Sequence, residues 1–143
     1  MTIWFDMDGT IADLYGVASW LDMLRNYKDT PYRQARPLIN MNYFAKLLTK
    51  KQAEGLQIGI ISWLSKESNP LYDAQVTRAK QYWLKKHLKS VKWNKIIIVP
   101  YGTPKSNYAR ENDILFDDEE KNRIEWGSRA YAPEMIFPIL KTC

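Results

Sequence analysis

The stretch Ile3-Trp4-Phe5-Asp6-Met7-Asp8-Gly9-Thr10 decides the fold of this chain, because an apolar run leads directly into two acids and a glycine. The apolar run predicts a buried strand, and Gly9 predicts a sharp turn after it, since a residue with a Cβ resists that conformation. Residues two apart in an extended segment point the same way, so Asp6 and Asp8 start on one face. Open α/β sheets bind their ligands at the carboxyl ends of the strands. At that place the two acids can hold a divalent cation and leave one carboxylate free to attack.

Two other interpretations of this acidic block stay open on the block alone. A calcium loop of the EF-hand type needs oxygen ligands along its whole length and a bidentate Glu at its end. After Gly9 the chain continues with Thr10, Ile11 and Ala12, and the required Glu does not follow, which disfavours this interpretation. The second alternative is a solvated acidic turn without a ligand, and only the rest of the sequence argues against it.

Strand and helix patterns alternate along the chain, which predicts a parallel sheet with helices on both faces. Strands are predicted over residues 3–5, 56–62, 95–99 and 114–116, with an edge strand over 129–131. Helices are predicted over residues 20–27, 41–54, 73–88, 105–111 and 119–126, with a loop over 31–37. The predicted fold class is α/β, a three-layer Rossmann-like arrangement, and 143 residues suit a single domain over 1–143.

The composition is typical of a packed globular protein, with 45% apolar and 13% aromatic residues. No apolar stretch approaches the length of a bilayer span, and the N-terminus lacks a basic region followed by a long apolar one. We therefore expect no membrane partner and a soluble, cytoplasmic location. The single cysteine, Cys143, is the last residue, so an internal disulfide is excluded. The sequence does not indicate an oligomeric state.

The net charge of +5 favours phosphorylated or polyanionic partners, and its source is local. The segment 78–95, here called the basic segment, contains no acid. Apolar residues recur through it at helical spacing, so a surface helix with a solvated basic face is one interpretation. The other is a basic strip with aromatic residues that contacts a nucleic acid. Both stay open at this point.

The pattern D-x-D-x-T formed by Asp6, Asp8 and Thr10 resembles motif I of the haloacid dehalogenase (HAD) phosphatase superfamily. The resemblance continues at the ends of the later predicted strands. Ser62 matches motif II, Lys105 matches motif III, and Asp117-Asp118 matches the acidic motif IV. The spacing between these motifs leaves no room for a large cap domain. The chain is similar to the small capless members, which include nucleotidase-like and polynucleotide-phosphatase-like enzymes.

The resemblance implies a Mg²⁺-dependent phosphomonoester hydrolase that works through an aspartyl-phosphate. In that family pattern Asp6 is the nucleophile, and Asp8 protonates the leaving group and then activates water. The implied phosphate-binding residues are Thr10, Ser62 and Lys105, and Thr10 also holds Asp8 in place. The implied Mg²⁺ ligands are Asp6, the backbone carbonyl of Asp8, Asp117, and Asp118, the last either directly or through water.

The expected substrate is a phosphorylated small molecule, in particular a nucleotide, or the terminal phosphate of a nucleic acid. Tyr15, Trp20 and Trp63 are placed to line the entrance of the site, although Trp63 is equally compatible with the core. Three alternatives stay open. The chain can be a nucleic-acid-binding or regulatory protein on the same scaffold with little turnover, a scaffold that has lost catalysis, or a phosphotransferase. Fold alone does not choose among them.

Overall fold

The computed structural model describes residues 1–142, so Cys143 and the prediction made for it lie outside the described residues. The strands are β1 (Thr2–Phe5), β2 (Ala12–Asp13), β3 (Arg36–Pro37), β4 (Gln57–Trp63), β5 (Lys95–Val99), β6 (Ile114–Phe116) and β7 (Ala130–Tyr131). A five-stranded sheet has the order β5-β4-β1-β6-β7 with all pairs parallel, while β2 and β3 form a short antiparallel pair. The predicted α/β fold class is confirmed, and the motif I strand lies at the centre of the sheet.

The helices alternate with these strands along the chain. They are α1 (Trp20–Arg25), α2 (Thr30–Gln34), α3 (Met41–Ala53), α4 (Pro70–His87), α5 (Glu120–Trp126) and α6 (Ile136–Thr142). Short 3₁₀ turns cover Leu14–Gly16, Lys105–Tyr108 and Pro133–Met135. Among residues 1–142, no helix combines the length and the apolar character that a membrane crossing requires.

Prolines account for most of the differences between the predicted and observed helices. The loop predicted over 31–37 was wrong, because Pro31 lies in the first turn of α2, where a missing N–H costs nothing. Helix α4 starts at Pro70 rather than at residue 73 for the same reason, with Asn69 accepting the Tyr72 N–H at 2.8 Å. Pro138 lies in the first turn of α6, a helix that the apolar pattern did not predict. The helix predicted over 105–111 is a 3₁₀ turn.

Strand β1 is buried on both faces, which explains why its residues do not alternate between apolar and polar. On one face Phe5 lies edge-on to Phe44 of α3, with ring centroids 5.0 Å apart, and stacks on Phe116 at 5.2 Å. On the other face Trp4 belongs to a cluster that Trp126 of α5 borders. Helices therefore cover both faces of the sheet, as the three-layer arrangement requires.

Residues 14–34 form a small second core against the first half of α4. Its buried members are Leu14, Leu24, Tyr32, Tyr72, Val76 and Ala79. Helices α1 and α2 form only a short wall over this part of the fold. The prediction of a fold without a large cap agrees with residues 1–142 as described.

Candidate active site

Parallel pairing brings the ends of β1 and β6 to the same edge of the sheet. Phe5 pairs in register with Phe116, and the Asp6 N–H donates to the Phe116 carbonyl oxygen at 2.9 Å. The first acids after each strand therefore emerge side by side. A cavity of about 440 Å³ opens at this edge. The predicted site residues that line it are Asp6, Asp8, Lys105, Asp117 and Asp118.

The turn after β1 is fixed by hydrogen bonds to one carbonyl and by the backbone freedom of Gly9. The N–H groups of residues 10, 11 and 12 each donate to the Met7 carbonyl at 3.0 Å. Gly9 has φ of +82°, a left-handed conformation that other residues rarely adopt. A Cβ at this position would also overlap the Asp118 carboxylate. The predicted sharp turn is confirmed, and it allows Asp118 to approach the motif I backbone.

Thr10 connects motif I with motif IV. Its fully buried hydroxyl donates to Asp6 Oδ2 at 2.9 Å and accepts the Asp118 N–H at 3.1 Å. The expectation that Thr10 holds Asp8 in place was wrong, because the turn directs the hydroxyl toward Asp6 and Asp118. Thr10 instead orients the predicted nucleophile.

Lys105 lies between two acids that belong to different strands. Its Nζ donates to Asp6 Oδ1 at 2.8 Å and to Asp117 Oδ2 at 2.7 Å, and only 2% of its side chain is exposed. Burial disfavours the charged ammonium, but the two carboxylates outweigh that effect and raise the pKa of Lys105. Both oxygens of Asp6 thus have a fixed partner, namely Thr10 on one side and Lys105 on the other.

The motif IV acids are held in a similarly buried environment. Asp117 is fully buried and accepts hydrogen bonds from the Glu119 N–H at 2.9 Å and the Asn122 amide at 3.1 Å. Burial, and next the charge of Asp6, raise the pKa of Asp117 to about 6. The same two causes, in the same order, raise the pKa of Asp118 to about 8. These carboxylates repel one another in the absence of a cation.

This cluster has the donor set and the charge that a divalent cation needs. Asp6, Asp117 and Asp118 each offer one carboxylate oxygen, and these oxygens lie within 4.8 Å of one another. Together with Asp8 they carry four negative charges when ionised, against two positive charges from Lys105 and Lys80. The remainder of two negative charges equals the charge of one Mg²⁺, and all the donors are hard oxygen atoms. The residues therefore fit the metal that the sequence predicts.

Asp8 stands apart from these three carboxylates and is held by a lysine that the sequence motifs do not include. Lys80 of α4 donates to Asp8 Oδ2 at 2.8 Å, to Ser62 Oγ at 2.6 Å and to the Trp63 carbonyl at 2.7 Å. Burial raises the pKa of Asp8, and the charge of Lys80 opposes that rise. The arrangement leaves the Asp8 backbone carbonyl, rather than its carboxylate, as its candidate metal ligand.

A signal for Lys80 was nevertheless present in the sequence. Val76, Ala79 and Trp83 are buried on one face of α4, and Lys80 falls on that face because it follows Val76 by four residues. A lysine on an otherwise apolar helix face needs a buried partner. The run of basic residues, however, groups Lys80 with its exposed neighbours and does not distinguish it from them.

Ser62 is more deeply buried than a residue that contacts the substrate phosphate needs to be. Its side chain is fully buried and its Oγ accepts the hydrogen bond from Lys80, and it is not among the described residues that line the cavity. Strand β4 continues one residue further than predicted, to Trp63. Direct contact between Ser62 and a phosphoryl group stays a prediction.

Two aromatic pairs line the outer part of the same cavity. Tyr15 and Trp20 lie edge to face with centroids 4.9 Å apart, and Trp63 and Tyr101 lie 5.0 Å apart. The Trp63 indole N–H donates to the Thr103 carbonyl at 2.8 Å, which fixes its ring at the entrance. The expectation that Tyr15, Trp20 and Trp63 border the site is confirmed, and Trp63 is only partly buried.

Comparison with known proteins supports the fold, whereas the evidence for an activity comes from the site itself. No family model matches the chain, and no curated protein matches it. A solved structure that it resembles is the D,D-heptose 1,7-bisphosphate phosphatase from Burkholderia thailandensis, with a TM-score of 0.54 and 11% sequence identity over 90% of this chain and 72% of that one. At that identity the likeness concerns the fold alone. The chain therefore has a HAD-like α/β fold, and residues 1–142 do not include a large cap.

Proposed function

We propose that this protein is a Mg²⁺-dependent phosphomonoester hydrolase that acts through an aspartyl-phosphate on Asp6. The observation that carries the proposal is the fixed geometry of Asp6 at the sheet edge. Thr10 and Lys105 each hold one of its oxygens, and two further carboxylates lie beside it. The fold of a known phosphatase adds support at the level of architecture.

The metal would be held by Asp6, Asp117, Asp118 and the main-chain carbonyl of Asp8. When bound, Mg²⁺ supplies positive charge to the phosphoryl oxygens and a fixed orientation for the substrate. Without such a positive charge, ionisation of all the surrounding carboxylates is unfavourable, as the raised pKa values of Asp117 and Asp118 indicate. Lys105 contributes a permanent positive charge next to the nucleophile.

In the first step a carboxylate oxygen of Asp6 attacks phosphorus, and the bond from phosphorus to the leaving oxygen breaks. Asp8 gives its proton to that oxygen, so the leaving group departs as a neutral alcohol. Because Asp6 already has partners on both oxygens, its orientation is set before substrate arrives, which lowers the entropic part of the barrier. Lys105 neutralises charge that builds up on the transferring group.

In the second step water attacks phosphorus of the aspartyl-phosphate, and Asp8 accepts a proton from that water. The bond from phosphorus to the Asp6 oxygen breaks, which regenerates the carboxylate and releases phosphate. Asp8 is suited to both proton transfers because its carboxyl group borders the cavity, with 17% of the side chain exposed. In this scheme Lys105 binds the phosphoryl group, and phosphoryl contact by Ser62 and Thr10, whose side chains are fully buried, stays a prediction.

The two aromatic pairs in the cavity lining favour a substrate whose leaving group carries a flat ring, and we infer that a nucleotide fits best. The same cavity is lined by two pairs of aromatic rings. One pair is Tyr15 and Trp20, and the other is Trp63 and Tyr101. Base–aromatic stacking contributes about 1–3 kcal/mol per base in nucleic-acid-binding proteins. The cavity volume of about 440 Å³ is on the scale of a small-molecule site. A nucleic-acid terminal phosphate is the runner-up.

The proposal is tested by a substrate screen under matched conditions. Phosphorylated metabolites, mononucleotides, and oligonucleotides with a 3′- or 5′-phosphate are each incubated with and without Mg²⁺, and released phosphate is measured. The control protein is Asp6→Asn, purified in parallel. We expect Mg²⁺-dependent release from mononucleotides by the wild type alone. If the wild type matches Asp6→Asn on every substrate, a binding or regulatory protein with little turnover replaces the enzyme.

A further inference from the structure

We propose that Lys80 is a positioning residue for Asp8 that determines which carboxyl oxygen of Asp8 faces the substrate. This inference rests on the proposed function, in which Asp8 exchanges protons with the leaving group and with water. Lys80 comes from α4, the helix after β4, and lies outside the four motifs that contain Asp6, Ser62, Lys105 and Asp117. The basic segment therefore contains a buried lysine with a role different from that of its exposed members.

The hydrogen bonds of Lys80 leave its ammonium group no freedom. An ammonium has three N–H donors, and here they meet Asp8 Oδ2 at 2.8 Å, Ser62 Oγ at 2.6 Å and the Trp63 carbonyl at 2.7 Å. Only 1% of the side chain is exposed, so water does not compete for these bonds. A buried, fully satisfied ion pair of this kind has a single favourable geometry. Lys80 thus fixes Asp8 with respect to the end of β4.

Lys80 acts from behind the site rather than on the substrate. Asp8 and Tyr32 line the cavity, and Lys80 is not among the described residues that do. The ammonium lies 5.1 Å from the centroid of the Tyr32 ring, which covers it on the side of α2. A substrate in the cavity therefore meets Asp8 and Tyr32 first. This placement separates Lys80 from Lys105, which is among the residues that line the cavity.

The ion pair leaves the two Asp8 oxygens unequal. Oδ2 accepts the bond from Lys80, so Oδ1 is the oxygen that remains to carry the proton for the leaving group. Without Lys80 the carboxyl group loses this anchor and can rotate away from the reacting atoms. The resulting loss depends on how much the leaving oxygen needs a proton. Alkyl leaving groups need one, whereas an activated aryl group such as p-nitrophenol departs as the anion.

The test compares kcat/KM of Lys80→Met on an alkyl phosphate and on p-nitrophenyl phosphate. The parameter kcat/KM reports the first irreversible step, which is transfer to Asp6. We expect a loss of about 100-fold on the alkyl phosphate, because general acid catalysis contributes about that much or more where the leaving group needs a proton. The loss on the aryl phosphate should be less than about tenfold, because its leaving group departs without a proton. Lys85→Met, which changes an exposed lysine of the same helix, is the matched control.

Equal losses on both substrates would overturn the proposal, because a merely structural defect does not distinguish leaving groups. If the wild type hydrolyses neither compound and also matches Asp6→Asn on every substrate of the screen, the proposed function itself fails, and this outcome is distinct from a failure of the inference. Removal of one partner of a buried ion pair can prevent folding. The double variant Asp8→Asn, Lys80→Met carries neither charge and covers that case.

The double variant gives an independent reading of the same idea. If Lys80 acts only through Asp8, adding Lys80→Met to Asp8→Asn changes kcat/KM for p-nitrophenyl phosphate by less than about threefold, as for two residues in one coupled unit. A further large loss with the fold intact by circular dichroism would mean that Lys80 acts on the substrate directly. That result contradicts the positioning role.

Discussion

The carboxylate of Asp6 and the ammonium of Lys105 form an ion pair 2.8 Å long inside the protein, with 9% and 2% of their side chains exposed. One partner follows the central strand and the other opens the 3₁₀ turn after β5, so the pair forms only when the sheet is assembled. The site chemistry and the stability of the fold therefore depend on the same contact.

Replacing Lys105 with Met should destabilise the metal-free protein by about 3–5 kcal/mol, because it leaves Asp6 and Asp117 buried without their counter-charge. Urea unfolding in the presence of a chelator measures the change. Lys86→Met, at an exposed position of α4, is the control and should shift stability by less than about 0.5 kcal/mol. If both variants are equally stable, the buried ion pairs do not contribute as described here.

Mg²⁺ should raise the melting temperature of the wild type, since an ion that binds only the folded form stabilises it by mass action, about 2.7 kcal/mol at 100 times Kd. Asp117→Asn should reduce this gain, because one of the three clustered carboxylates is lost. Thermal melts over a Mg²⁺ titration measure both effects. A wild-type melting temperature that does not depend on Mg²⁺, or full activity after exhaustive chelation, would remove the metal from the account.

The metal-free protein should lose stability relative to Asp118→Asn as the pH rises. The pKa of Asp118 is raised in the folded state from 3.8 to about 8, so between these values the unfolded chain has lost a proton that the folded protein keeps. Unfolding then releases protons, and higher pH favours it. The favourable contribution of Asp118 is complete below about pH 4 and lost by about pH 8. Melting temperatures of both proteins with chelator check this, and parallel curves would contradict it.

Much of the fold was predictable because the sheet is built from short apolar strands that are buried on both faces. The pattern of residues 95–99 and 114–116 gave the bounds of β5 and β6 as observed. The four motifs could be aligned with strand ends, and parallel pairing then brought Asp6, Lys105 and Asp117 together. The position of these three residues therefore follows from local patterns and one topological rule.

The contacts of Lys80 and Thr10 could not be predicted in the same way. Which side of α4 faces the site depends on how the helix packs against residues 14–34. Because a loop was predicted over 31–37, α2 was not available as a packing partner for α4 in the sequence-based prediction. The direction of the Thr10 hydroxyl depends on the turn at Gly9 and on the approach of Asp118. Helical spacing places Lys80 on the buried face of α4, but the partners of both side chains depend on tertiary packing, which periodicity does not give.

Substitution of the exposed lysines of the basic segment distinguishes a nucleotide substrate from the terminal phosphate of a nucleic acid. Lys85, Lys86 and Lys89 are exposed and do not belong to the described lining of the Asp6 cavity. If a nucleotide is the substrate, replacing all three with Gln should leave KM for a mononucleotide unchanged within about twofold, because salt-dependent phosphate contacts are absent. A phosphorylated oligonucleotide whose KM is lower at low salt, and rises in the triple variant, would instead favour a nucleic-acid end.

The most direct test of the account is the rate of Asp6→Asn on p-nitrophenyl phosphate with saturating Mg²⁺. The substitution is nearly isosteric, and the Asn carbonyl oxygen can still accept from Lys105 while its NH2 group faces the Thr10 hydroxyl oxygen, so we expect the fold to persist by circular dichroism. We expect turnover to fall by several orders of magnitude, as it does when a covalent catalyst is removed. A folded Asp6→Asn protein that retains more than a few per cent of wild-type activity would contradict the aspartyl-phosphate mechanism.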